Sequence, residues 1–243
     1  MVFHNLKAIY FHIGKTAGTT VERLFSSQPY FDPMVADFDA LFGLDTATRS
    51  YLQHATAWRV KELMDEELFD TYLKFTIVRN PFVRSLSVFH YLYYRNLKEC
   101  GSFEGFIESL PQRLKSAEKN VGDHYLPQVY YTHINDQLIC DYVGKFEALP
   151  HSLSPVMQSC GIQQPVRITN KVRVKNWDAK PIASYYTPNM IHIMQDLYGQ
   201  DFEAFNYSTD PEDIEFDSVR VNSAKARHKL GRARNRLKKS LFR

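Results

Sequence analysis

The chain has 243 residues, 44% of them hydrophobic and 23% charged, which is ordinary usage for a globular protein with one sizeable core. No apolar run approaches the roughly 18 residues of a membrane helix, and the N-terminal residues lack a signal peptide's charged start and long apolar core, so a cytoplasmic protein is expected. Cys100, Cys140 and Cys160 are odd in number and widely spaced, which argues against a disulfide framework and a zinc site; no metal is expected. The net charge of +3 divides unevenly, because Ser218 to Arg243 carries ten basic residues and no acid, leaving 20 basic against 27 acidic residues before it.

In chain order, Leu6 to Ile13 is a short apolar run rich in strand formers. A glycine-containing turn follows, then Val21, Leu24 and Phe25 at helical spacing, so the pattern reads strand, loop, helix. Thr56 is placed to cap a helix with Val60, Leu63 and Met64 on one face. Phe75 to Val78 suits a strand covered on both faces, and Asn80-Pro81 then supplies a cap and a first-turn proline for a second helix. Further helices are expected over Phe103–Leu110, over His151–Cys160 ending at Gly161, and from Thr187-Pro188 to a close at Gly199, with a strand over Ile139–Leu149. Alternating strands and helices imply an α/β fold with a mostly parallel sheet, in one domain over 1–217 with a basic helical extension over 218–243.

Gly14-Lys15-Thr16 matches the end of a nucleotide P-loop, but the first glycine of that pattern should stand at position 9, where the chain has Ile9. An ATP-dependent kinase is therefore the weaker enzymatic reading. The anion-cradling logic survives. Gly14 and Gly18 permit a tight turn, the following helix offers its positive end, Lys15 adds a charge, and Thr16, Thr19 and Thr20 add hydroxyl donors.

The stretch "HIGKTAGTT" resembles the 5′-phosphosulfate loop of carbohydrate sulfotransferases, and "VRNPFVRSLSVFHY" resembles their 3′-phosphate motif, about sixty residues later. The resemblance extends more faintly over residues 6 to 207 and implies a P-loop-like three-layer fold, with both motifs at successive strand-to-helix junctions of one sheet. It implies 3′-phosphoadenosine 5′-phosphosulfate (PAPS) as donor. Lys15 would stand at the bridging oxygen, Thr16, Ala17, Gly18, Thr19 and Thr20 would complete the 5′ loop, and Arg79 and Ser87 would hold the 3′-phosphate. Gly14 departs from the proline of many members.

Sulfuryl transfer to a hydroxyl needs a proton acceptor, and the resemblance points to His54, which precedes a helix where some members place their base. His124 and Gln128, in "HYLPQVYY", are expected to bind a carbohydrate acceptor among aromatic faces. His12 is expected to be a packed, hydrogen-bonded residue. Arg84 is balanced between ligand contact and structural pairing. Lys171, Arg173 and Lys175 alternate and could form a basic lid. The basic tail suits an anionic glycan or membrane surface, with nucleic acid unfavoured, and a non-enzymatic polyanion binder is the third functional reading.

Overall fold

The computed structural model describes residues 1–26, 33–116, 124–166 and 180–214. The lysine and arginine alternation at 171–175 and the basic tail lie outside the described residues. The first strands are β1 (Val2–Phe3) and β2 (Ala8–Phe11), followed by α1 (Gly18–Phe25), the small hairpin of β3 (Leu44–Asp45) and β4 (Ser50–Tyr51), then α2 (Ala57–Leu63) and α3 (Glu66–Thr71). Strand β5 (Leu73–Val78) leads into α4 (Pro81–Tyr91), α5 (Tyr93–Cys100) and α6 (Phe103–Ser116). A second small hairpin, β6 (His133–Ile134) and β7 (Gln137–Leu138), precedes β8 (Tyr142–Lys145), α7 (Ser154–Ser159) and α8 (Pro188–Ala204).

Among the described residues the central sheet has four strands in the order β1-β2-β5-β8. β2 and β5 run parallel with Ala8 opposite Leu73 and Phe11 opposite Thr76, while β5 and β8 run parallel with Val78 opposite Lys145. β1 is antiparallel to β2. Because β2 and β5 are parallel neighbours, both strand-to-helix turns leave from the same edge of the sheet. That edge is where the two motifs meet.

Successive strand residues face opposite sides, and the core follows that alternation. Ala8, Tyr10, Phe75 and Ile77 bury with Val21 and Phe25 of α1 and Val156 and Met157 of α7. Ile9, Phe11 and Val78 bury with Ala57 and Val60 of α2 and Phe69 of α3. Helices α4, α6 and α8 share a third apolar body built on Phe82, Phe106, Met190 and Phe202. Each such aromatic contributes about 1.5–3 kcal/mol by leaving water. The result is a mixed α/β fold whose partly parallel sheet is flanked by helices.

The expected caps form: Thr56 accepts from the Arg59 amide at 3.4 Å, and Asn80 accepts from the Phe82 amide at 3.0 Å, with Pro81 as the first helical residue. The helix opened by Thr187 breaks at Tyr198 (φ −117°, ψ 20°), beside the Gly199 expected to close it, and a further helical segment, which the sequence reading did not expect, runs on to Ala204 and buries Asp201 and Phe202.

Candidate active site

Between β2 and α1 the backbone is held in an unusual path. Lys15 (φ 71°) and Ala17 (φ 77°) are both left-handed, a conformation that costs a residue with a Cβ roughly 1–2 kcal/mol. The surroundings must therefore over-determine the turn. Thr16, fully buried, does part of this by donating its hydroxyl to the Ile13 carbonyl at 2.8 Å. Left-handed residues interleaved in a turn direct N–H groups to one side, forming an anion-binding concavity, and the first amides of α1 add a helix's positive end. Thr20 is buried and Thr19 partly open.

The glycines of this loop answer to two histidines. A Cβ on Gly14 would lie 2.6 Å from Cδ2 of His124, and one on Gly18 would lie 1.6 Å from Nε2 of His12. The His124 ring fills the volume that proline would need at position 14.

At the end of β5, Arg79 is buried, its guanidinium lies 4.0 Å above the Phe146 ring, and Nη1 donates to the Lys15 carbonyl at 3.1 Å. This contact joins the two junctions directly. The backbone of Arg79 is clamped by Gln128, whose Oε1 accepts from the Arg79 amide at 2.9 Å while Nε2 donates to its carbonyl at 2.8 Å. Ser87 is buried about two turns into α4 and its hydroxyl makes no hydrogen bond among the described residues.

Arg84 settles as a brace. Its side chain is 2% exposed and donates to the carbonyls of Gly14 at 3.2 Å, Leu126 at 2.9 Å and His124 at 3.0 Å. One guanidinium thus ties the anion loop to the segment carrying His124 and Gln128.

The histidines form a stack. The His54 ring sits 4.4 Å from that of His12 and 4.9 Å from that of His124, and His124 is stacked on Tyr91 at 5.7 Å. The Lys15 ammonium lies 3.9 Å over the Tyr91 ring, which completes the cluster. Nδ1 of His54 is 2.9 Å from the His12 carbonyl. A carbonyl can only accept, so Nδ1 carries the proton and Nε2 keeps a lone pair. Burial lowers the His54 pKa below its usual value, opposed by that hydrogen bond, and burial puts His12 and His124 well below theirs. The three imidazoles are neutral near pH 7.

Lys15, His54 and His124 are therefore brought together, and Arg79 is bound to the same loop. His12 is packed as expected, between Tyr10 and His54, but its Nδ1 is buried with no hydrogen-bond partner among the described residues. Its carbonyl, rather than its ring, engages the neighbouring histidine. Gln128 does not face an acceptor: it is 0% exposed, and its amide is occupied by Arg79 and by Asp201 at 3.3 Å. Tyr125 and Tyr131 are likewise buried in the core, and Tyr130 lines a separate hollow with His133, Asp136 and Glu203.

Four supporting residues escape a sequence reading. Asp201 accepts from the amides of Gln128 at 2.8 Å and Val129 at 2.9 Å, and Glu147 accepts from the Asn80 amide at 2.9 Å. Phe146 lies under Arg79 and Tyr91 under Lys15. Asp201 left one trace, since it occupies an apolar-face position of α8, spaced with Met194 and Tyr198.

Residues 1–208 match the sulfotransferase family. An uncharacterized protein of Archaeoglobus fulgidus is 28% identical over 114 residues, spanning 46% of this chain and 87% of that protein. No solved structure matches the chain. With the match covering the sheet, both strand-to-helix junctions and the histidine stack, the chain belongs to the sulfotransferase family.

Proposed function

We propose that the protein transfers a sulfuryl group from PAPS to a hydroxyl of a carbohydrate. The observation that carries this reading is the cluster in which a neutral His54, with Nε2 left as acceptor, shares one connected site with Lys15 and its left-handed loop. The loop amides and α1 suit a phosphosulfate, and Arg79 with Ser87 suits the 3′-phosphate, since a guanidinium can give a phosphate two parallel hydrogen bonds.

In the proposed reaction the acceptor oxygen bonds to sulfur as the bond from sulfur to the phosphate oxygen breaks. His54 Nε2 takes the hydroxyl proton, and Lys15 stabilises the negative charge that develops on the leaving bisphosphate. Arg79, fixed to the Lys15 carbonyl, sets the distance between the two phosphate sites. Positioning and electrostatics supply most of the acceleration, as in phosphoryl transfer.

Thermal denaturation with adenosine 3′,5′-bisphosphate tests this reading against ATP with magnesium. A ligand at a hundred times its dissociation constant adds about 2.7 kcal/mol, which at this chain length raises the midpoint by about 5–10 °C. Lys15→Ala and Arg79→Ala should reduce the shift and abolish transfer from PAPS. A shift with ATP and magnesium but none with the bisphosphate would overturn the proposal in favour of a kinase.

A further inference from the structure

The acceptor-binding aromatics expected near His124 turn inward, yet aromatic surface remains open beside the same site. Helix α4 ends at Tyr91, Leu92 breaks the helical path (φ −105°, ψ 35°), and α5 begins at Tyr93. The corner is fixed from inside by Asn96, buried, whose amide donates to the Phe89 carbonyl at 3.0 Å. Outside the corner, Tyr91 is 56%, Tyr93 40% and Tyr94 87% exposed. Tyr93 is held in place, stacked on His90 at 5.9 Å and edge-on to Phe89 at 5.8 Å, and Tyr94 stands edge-on to Tyr93 at 5.6 Å.

We propose that the Tyr91, Tyr93 and Tyr94 rings form the platform on which the pyranose rings of the acceptor carbohydrate lie. This inference rests on the sulfotransferase reading above. Tyr91 touches both the Lys15 ammonium and the His124 ring, which in turn packs on His54, so a sugar lying on Tyr91 borders the reactive cluster. Chemistry decides the occupant. A tyrosine ring has a negative face that suits the polarised C–H groups of a pyranose, and a hydroxyl edge that can hydrogen-bond sugar hydroxyls. A membrane or an apolar protein surface would call for contiguous aliphatic area, and along α5 only Leu97 supplies it. Tyrosines held by ring contacts also lose little freedom on binding, which favours recognition by stacking.

The test uses the full chain and p-nitrophenyl β-glycosides of glucose, galactose, N-acetylglucosamine and glucuronic acid as probes. Saturation-transfer NMR with the protein alone reads sugar binding without donor, and the bisphosphate thermal shift reads the donor site separately. At least one glycoside should show transfer, and Tyr94→Ala should raise its dissociation constant and its KM about twofold to tenfold, the scale of one aromatic stacking contact. The bisphosphate shift and the KM for PAPS should not change, and Tyr94→Phe should keep most of the sugar affinity. Since Tyr94 is exposed, the alanine variant should fold.

No transfer to any glycoside, or unchanged sugar affinity in Tyr94→Ala, would overturn the platform while an intact bisphosphate shift left the donor reading standing. Loss of the bisphosphate shift with sugar transfer retained would overturn the donor reading alone. Binding to phosphatidylcholine vesicles or self-association that disappears in Tyr94→Ala would assign the rings to a membrane or a second copy and overturn the proposal.

Discussion

Replacing Gly18 with alanine tests how the anion loop and the histidine stack depend on each other. The new Cβ would stand 1.6 Å from Nε2 and 2.0 Å from Cδ2 of His12, so the ring must retreat by about 2 Å to reach ordinary contact. It has little room, being packed against the rings of Tyr10 at 5.6 Å and His54 at 4.4 Å. Overpacking of this kind costs about 1–3 kcal/mol, which for a chain of this length lowers the melting midpoint by roughly 2–12 °C. Turnover should fall as well, because the His12 carbonyl holds His54 in its tautomer. Differential scanning calorimetry and transfer assays on Gly18→Ala would be read beside Gly199→Ala, where no atom lies within 4 Å of the added Cβ. The control should melt at or above the parent, by up to about 1 kcal/mol of added stability. A Gly18→Ala variant that melts with the parent and turns over normally would refute the reasoning.

Acidification should weaken both fold and activity. His12, His54 and His124 are all depressed by burial, so below the unfolded value of about 6.5 the unfolded chain binds more protons. Stability from these groups is full above that pH and declines as pH falls through and below it, as urea midpoints at pH 7.5, 6.5 and 5.5 would record. Turnover should fall on an acid limb with an apparent pKa below 6.5, and a rate that rises from pH 7 to pH 6 would exclude His54 as the base. Arg84→Met removes three charge-assisted bonds to carbonyls, each about 1.5–3 kcal/mol. It should lower the urea midpoint and weaken bisphosphate binding, and a wild-type midpoint would show that the brace is idle.

The sequence exposed the parts of this design that depend on neighbours in the chain. The strand, loop and helix around Lys15 are local, as are the caps at Thr56 and Asn80, and all were readable from spacing and residue type. Long-range pairings were not. Gln128 looked like an acceptor ligand because it follows His124 and stands among tyrosines, and only the fold shows its amide closed around the Arg79 backbone, 49 residues away in the chain. Arg84 remained ambiguous for the same reason, since its three acceptors are carbonyls, which sequence pattern does not distinguish. The helical segment beyond the break at Tyr198 was not readable, because Asp201 and Phe202 are held by partners on other elements.

Among the described residues, no carboxylate lies within ion-pair distance of Arg84. Carbonyl dipoles solvate its charge, and its field reaches the buried Asp201, where burial raises the carboxyl pKa and Arg84 opposes that rise. Burial is the main cause that depresses proton uptake by His54 and His124, and Arg84 adds to it while contributing to the positive potential of Lys15 and Arg79 at one sheet edge. Residues 1–217 carry 20 basic against 27 acidic groups, so the nucleotide proposed as donor would meet an acidic body in which Lys15, Arg79 and Arg84 gather at one sheet edge. Capture then becomes a question of steering: the encounter rate should fall as salt shortens the screening length below about 10 Å, while release, governed by contacts, changes little. In the proposed reaction one charge would both draw the nucleotide inward and hold the imidazoles beside it in their unprotonated form.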